Sequence, residues 1–212
     1  MTTLDEALDA LPVIAIIRAA GSRHLTPVLE TLAGNGVRAM EVTLTTPGAA
    51  GAIRWAAGTL RDVAVGAGTV LDAASARQAV DAGAGYLITP AVLPEVIEEG
   101  NRLGVPVLPG AFTPTEILQA WRQGAAMVKV FPVSAAGGPG YVKDVRAPLP
   151  GIPLVPTGGV RVEDVPAYLR AGARAVGMGS PLVGDACADG DMKALAERAR
   201  RLVEALESVR GR

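Results

Sequence analysis

Chemically versatile side chains are in short supply in this chain. Of 212 residues only Cys187 is a cysteine and only His24 a histidine. A lone thiol cannot close an internal disulfide, and a site built from several thiolates is impossible. With one residue of each kind, Ser-His-Asp and Cys-His triads and His/Cys zinc sites lack their parts, so no such metal site is expected. Aromatic residues make up 3% of the chain, which leaves Ala, Val, Leu and Ile to build the core. Twenty basic side chains stand against 21 acidic ones, a formal net charge of −1. That balance gives no general attraction to nucleic acid or to an anionic membrane surface. No apolar run approaches the roughly 20 residues of a membrane helix. The start, Met1-Thr2-Thr3-Leu4-Asp5-Glu6, carries acids where an export signal is basic, and the apolar run Leu11 to Ile17 is short and interrupted by Pro12. A cytoplasmic protein acting on a small molecule is the expectation.

What is present is a repeat. Short apolar runs recur at Val13 to Ile17, Arg38 to Leu44, Val63 to Gly66, Tyr86 to Thr89, Pro106 to Leu108, Met127 to Phe131, Pro153 to Pro156 and Ala175 to Met178. Most are apolar on both faces, the pattern of buried parallel strands. Ala- and Leu-rich segments of helical period lie between them, and several approach the next strand through glycine: Asn35-Gly36, Ala82-Gly83, Glu99-Gly100, Gln123-Gly124 and Ala171-Gly172. Strand centres recur about every 20 to 27 residues, the length of one strand, one helix and two short loops. Eight such units predict a (β/α)8 TIM barrel, one domain over residues 1–212, with a short extra helix at Leu4 to Ala10 plugging the bottom. Met192, Leu195, Ala196, Ala199, Leu202, Val203 and Leu206 form the apolar stripe of the last helix.

In such a barrel chemistry gathers where the strands end. Lys129 is one of three lysines and alone lies inside an apolar strand, Met127-Val128-Lys129-Val130-Phe131-Pro132. Burial disfavours an ammonium and yields the neutral amine that Schiff-base chemistry requires; a snorkelling or ion-paired lysine is the structural alternative. Glu41 is the only acid within its strand, a candidate general acid/base or else the partner of Lys129 or Arg18 in a buried ion pair. Thr157-Gly158-Gly159 and Gly179-Ser180 follow the seventh and eighth strands, where barrel enzymes frequently hold phosphate on backbone N–H groups; a plain tight turn is the alternative. Gly66-Ala67-Gly68-Thr69 lacks the third glycine and the acid of a dinucleotide fingerprint, and is expected to give a substrate room beside the Thr69 hydroxyl. Ala135 to Gly140 is expected to be a flexible loop, with a mobile flap over the mouth as the alternative, and His24 and Cys187 to be incidental.

Four motifs in this order, Glu41-Val42-Thr43-Leu44, Gly66-Ala67-Gly68-Thr69-Val70, Val128-Lys129-Val130-Phe131-Pro132 and Pro156-Thr157-Gly158-Gly159-Val160, followed by Gly179-Ser180, resemble the bacterial 2-dehydro-3-deoxy-phosphogluconate (KDPG) and 4-hydroxy-2-oxoglutarate (KHG) aldolase family over nearly the whole chain. The resemblance implies a small (β/α)8 barrel, commonly a homotrimer, working as a class I aldolase that releases pyruvate and an aldehyde from 2-keto-3-deoxy sugar acids without a cofactor. It implies Lys129 as the Schiff-base lysine, Glu41 as general acid/base and Thr69 and Pro90 as substrate contacts. Thr157, Gly158, Gly159, Gly179 and Ser180 become the phosphate-binding turns. Thr45 stands where some members carry a substrate-binding arginine; the strand-one ending Ile17-Arg18-Ala19 resembles members that lack it, which implies Arg18 as the replacement guanidinium. Phosphogluconate- and phosphogalactonate-type substrates, and 4-hydroxy-2-oxoglutarate, stay open. So do an isomerase or synthase acting on a sugar phosphate and a non-catalytic phosphometabolite-binding barrel.

Overall fold

The computed structural model describes residues 2–210. Parallel strands alternate with helices along the chain. In order they are α1 (Leu4–Ala10), β1 (Val13–Ile17), α2 (Leu25–Gly34), β2 (Ala39–Thr43), α3 (Ala49–Thr59), β3 (Ala64–Gly68), α4 (Ala73–Asp81), β4 (Leu87–Ile88), α5 (Pro94–Leu103), β5 (Val107–Leu108), β6 (Gly110–Ala111) and α6 (Pro114–Arg122). The second half runs β7 (Val128–Val130), α7 (Val133–Ala136), α8 (Gly138–Arg146), β8 (Leu154–Pro156), α9 (Val165–Arg170), β9 (Val176–Met178), α10 (Ser180–Val183), α11 (Ala186–Asp189) and α12 (Met192–Arg210). A 3-10 turn, Val162–Asp164, leads into α9.

Six strands pair in the order β5-β4-β3-β2-β1-β9 and three in the order β6-β7-β8, all parallel. The two sheets meet on one side through a bridge between Thr157 and Gly177 and through the Arg174 N–H donating to Leu154 O at 2.9 Å. On the other side β5 runs directly into β6 across Pro109. The result is a curled parallel sheet with helices, a TIM-like fold. The expected fifth strand, ending at Leu108, is thus longer and divided, because proline has no N–H to give the ladder; its carbonyl still accepts the Lys129 N–H at 2.9 Å.

Apolar residues on both faces of the strands follow from this arrangement. Val13, Ala15 and Ile17 of β1 pack with Leu25, Val28, Leu29 and Leu32 of α2. The opposite face, Ile14, Ala39, Ala64, Tyr86, Ile88 and Val155, packs with Leu4, Ala7 and Leu8 of α1. α1 begins at a capping box, Thr3 with Glu6, and is tied to the last βα unit by Arg174, whose guanidinium reaches Asp9 at 2.7 Å and Asp5 at 3.3 Å. α6 begins the same way, with Thr113 and Glu116 around Pro114.

Two local expectations change. Gly100 does not end its helix: α5 continues to Leu103 and stops at Gly104, φ +71. A Cβ on Gly100 would lie 2.2 Å from Val107, so glycine there lets the helix approach the sheet. Residues 135–140 form the end of α7 and the start of α8, hinged at Gly137, rather than a flexible loop. The Tyr141 hydroxyl donates to the Phe112 carbonyl, and the two rings stack at 6.4 Å, which holds α8 against the β6 end.

Candidate active site

β2 carries Glu41 on the same face as Ala39, opposite Ile16 of β1 and Gly66 of β3 in register. That face is turned away from the helices, so the carboxylate lies among apolar side chains at 1% exposure. The β3 glycines make the space. A Cβ on Gly68 would stand 2.7 Å from the Glu41 carboxyl carbon, and one on Gly66 would stand 2.4 Å from the Tyr86 ring. The room expected beside Thr69 is therefore occupied by the protein's own carboxylate and ring.

Lys129 lies in the middle of β7, opposite Gly110 of β6 and Val155 of β8. It is 9% exposed, and its Nζ lies 4.9 Å from the Phe131 ring centroid. Glu41 and Lys129 line one inner pocket with Ile14, Ile16 and Ile88. Above it a cavity of about 280 Å³ opens outward, with Lys129 at its floor and Arg18, Thr69, Pro90 and Thr157 in its wall.

Neither Glu41 nor Lys129 forms a salt bridge among the described residues, and Glu41 Oε2 has no hydrogen-bond partner. The buried ion pair offered by the sequence is thus absent. Burial pushes the Glu41 carboxyl above its usual range, against the smaller opposing pull of Lys129 and Arg18. Burial likewise pulls the Lys129 ammonium down; Glu41 opposes this and Arg18 adds to it. Both shifts favour the neutral forms, the amine over the ammonium and the carboxylic acid over the carboxylate.

Arg18 follows β1 and is exposed; its Nη2 donates to Thr69 Oγ1 at 3.1 Å. Thr69 has φ +57, the only non-glycine residue with positive φ among those described. A β-branched residue held there costs about 1–3 kcal/mol, and such strain is concentrated at functional sites. Thr45, by contrast, does not line the cavity. It is exposed, and its hydroxyl donates to Thr43 Oγ1 at 3.2 Å. Thr43 in turn bonds Thr46 at 3.0 Å, and Thr46 accepts the Ala19 N–H at 3.1 Å, so these threonines brace the backbone beside Arg18.

Gly158, Gly159, Gly179 and Ser180 all border the cavity. Gly158 and Gly159 have φ of +92 and +79, a conformation open to glycine. Among the described residues, the N–H groups of Gly158, Gly159 and Ser180 donate no hydrogen bond. Thr157 is buried, its hydroxyl on the Val155 carbonyl at 3.1 Å, and a Cβ on Gly177 would stand 2.3 Å from it. Ile16, Phe131, Val160 and Pro181 also border the cavity, and reading the sequence did not single them out for a site. The two-residue spacing of Gly66 and Gly68 puts both on one strand face, where they make way for Tyr86 and Glu41 rather than for a substrate.

His24 precedes α2 as its N-cap, and Cys187 is buried in α11; neither lines the cavity. No helix among the described residues is long and apolar enough to cross a membrane.

A family model described as KDPG and KHG aldolase matches residues 4–197. The chain belongs to the KDPG and KHG aldolase family. Family relatives include the 2-dehydro-3-deoxy-phosphogluconate aldolase of Treponema pallidum, 36% identical over 80% of this chain and 80% of that protein. The KHG/KDPG aldolase of Escherichia coli K12 is 31% identical over 96% of each chain. A solved structure described as native KDPGal superposes with a TM-score of 0.88 at 30% identity, covering 95% of this chain and 97% of the other. The KDPG aldolase of Legionella pneumophila, solved with pyruvate captured as a covalent carbinolamine, has a TM-score of 0.84 at 29% identity and covers 95% of this chain and 98% of its own.

Proposed function

We propose that Lys129 is the Schiff-base nucleophile, and Glu41 the proton carrier, of a class I aldolase that cleaves a phosphorylated 2-keto-3-deoxy acid, or 4-hydroxy-2-oxoglutarate, to pyruvate and an aldehyde. The observation that carries this reading is the unpaired, buried Lys129 amine at the floor of an open cavity, with an unpaired, buried carboxyl beside it. The class of enzyme rests on the family; the residue roles rest on this geometry.

The neutral Lys129 nitrogen adds its lone pair to the C2 carbonyl, and the Glu41 proton goes to the resulting oxyanion, giving a carbinolamine. Glu41 then relays a nitrogen proton to the departing hydroxyl, and water leaves an iminium. As a carboxylate, Glu41 takes the C4 hydroxyl proton while the C3–C4 bond breaks. The bond's electron pair flows into the iminium, so the aldehyde departs and an enamine remains. Protonation at C3 and hydrolysis free pyruvate and Lys129. The Arg18 guanidinium and Thr69 hydroxyl suit the substrate carboxylate, a fork geometry matched to two oxygens. The N–H groups of Gly158, Gly159 and Ser180 suit the distal phosphate, with Pro90 and Thr157 closing the wall between. Thr45, outside the cavity, carries no substrate role in this reading.

The fold reads as a (β/α)8 barrel in which β5 and β6 form one strand and the Thr157–Gly177 bridge closes the ring, with α1 covering the bottom. Leu71, Phe112 and Trp121 are large apolar side chains exposed at 51%, 38% and 38%, which supports a homotrimer, to be tested by light scattering; a cytoplasmic location accompanies this reading. A gluconate- or galactonate-type acid, differing at C4, is assigned by a turnover panel of both epimers and the unphosphorylated acid.

Borohydride reduction with pyruvate, followed by peptide mapping, tests the chemistry. The adduct is expected on Lys129. An adduct on Lys143 or Lys193, or no adduct, overturns the assignment, and failure to trap favours the rival sugar-phosphate isomerase.

A further inference from the structure

A second cavity, about 480 Å³, lies behind the phosphate-binding turn. Its lining shares Pro181 with the first cavity and includes Arg161, Glu163, Arg198 and Arg201. Three arginines therefore line one space with a single acidic residue, Glu163, whose carboxylate lies 3.4 Å from Arg161 Nε. Arg161 also reaches Asp164 at 2.9 Å through Nε and at 3.2 Å through Nη2.

Arg198 is fixed in place. Its Nε donates to Leu182 O at 2.7 Å and its Nη2 to Val183 O at 2.8 Å. A Cβ on Gly184 would stand 2.7 Å from that Nη2, so glycine admits the guanidinium. These bonds use the α10 carbonyls and leave the Nη1 donors of Arg198 free. Arg201 lies one turn further along α12, on the same face, exposed and without a partner among the described residues. Two cations three residues apart on a helix repel each other. Arg161, across a space of metabolite-pocket size, is held by Asp164 and Glu163, so Arg198 and Arg201 carry the unneutralised charge of a recess that an oxyanion would meet with charge-assisted bonds.

We infer that this recess is a second anion site, taking a phosphate-bearing small molecule on Arg161, Arg198 and Arg201. It is distinct from the glycine turn, which offers backbone N–H groups. Pro181 belongs to α10, whose carbonyl end Arg198 holds and whose first residue, Ser180, borders the catalytic cavity. An anion seated on Arg198 thus bears on the helix that carries Ser180. The inference does not depend on the Lys129 chemistry.

The test titrates inorganic phosphate into the whole protein by calorimetry, comparing the parent with Arg201→Lys and with the double variant Arg161→Ala/Arg201→Ala. One binding isotherm is expected to weaken at least about tenfold in the double variant, since each charge-assisted bond to an ion is worth that much. It should survive in Arg201→Lys, and pyruvate-dependent borohydride trapping should be unchanged in both. Identical titrations of the parent and the double variant overturn the inference. Failure of the proposed glycine-turn site has a different signature: no isotherm that is insensitive to the arginines and competed by a phosphorylated 2-keto acid.

Discussion

Replacing Gly68 by alanine separates the two chemical roles assigned to the site. The added methyl would lie 2.7 Å from the Glu41 carboxyl carbon and 2.8 Å from Oε1, whereas ordinary contact begins at 3.4 Å. The carboxylate must retreat by about 0.7 Å, the difference between 3.4 and 2.7 Å, into the inner pocket that it lines with Lys129. Overpacking of this kind costs about 1–3 kcal/mol of stability. A misplacement of about 1 Å costs on the order of 100-fold in a proton-transfer step, so a loss of roughly 10- to 100-fold is expected here. The assay is exchange of the pyruvate methyl protons with deuterium, which requires deprotonation of the iminium at C3. Lys129, on another strand, keeps its place, so borohydride should still trap pyruvate on Lys129, at a reduced rate because Glu41 also serves iminium formation. Gly51→Ala is the control: nothing lies within 4 Å of the added methyl, and exchange should match the parent. Parental exchange in Gly68→Ala would refute the placement of Glu41 as the proton carrier.

Lys129→Met should abolish trapping and raise Tm at neutral pH. A lysine whose folded pKa is depressed costs stability wherever the unfolded chain binds the extra proton, so stability rises with pH through that window; the gain in Lys129→Met should shrink as pH approaches 10.5, the ordinary lysine value. In the parent, the trapping rate should climb with pH and level off below that value, and a midpoint at or above 10.5 would contradict a desolvated amine. Arg18→Lys should raise KM for the keto acid about tenfold while leaving the trapping site unchanged, because an ammonium cannot form the two-pronged bond; an unchanged KM would remove Arg18 from substrate binding. Away from the site, Arg102 and Arg77 reach Glu99 at 2.6 and 3.0 Å and hold its carboxyl down at about 2. That stabilisation is present above pH 4.5 and fades as pH falls towards 2, so Glu99→Gln should lower Tm at pH 7 and converge with the parent in acid.

Much of this was legible in one dimension because burial on both faces leaves its mark residue by residue. A parallel strand enclosed by helices outside and other strands inside must be apolar throughout, and a charged residue within it stands out, as Lys129 and Glu41 do. Pro109 was harder to read: the fifth run appears to end at Leu108, yet the chain resumes pairing at Gly110 once the residue without an N–H has passed. Thr45 sits at the position a motif would favour, but its side chain turns to Thr43 rather than to the cavity.

The order of βα units, the lone buried lysine and the glycine turns follow from the sequence alone, since local periodicity and backbone conformational freedom are properties of neighbouring residues. Only the tertiary structure decides that Glu41 and Lys129, 88 positions apart in the chain, share a pocket without pairing, that Gly68 is glycine because of Glu41, and that Arg161 lines one cavity with Arg198 and Arg201. These are contacts between segments distant along the chain, set by how the sheet curls, and separation along a sequence carries no record of that curvature.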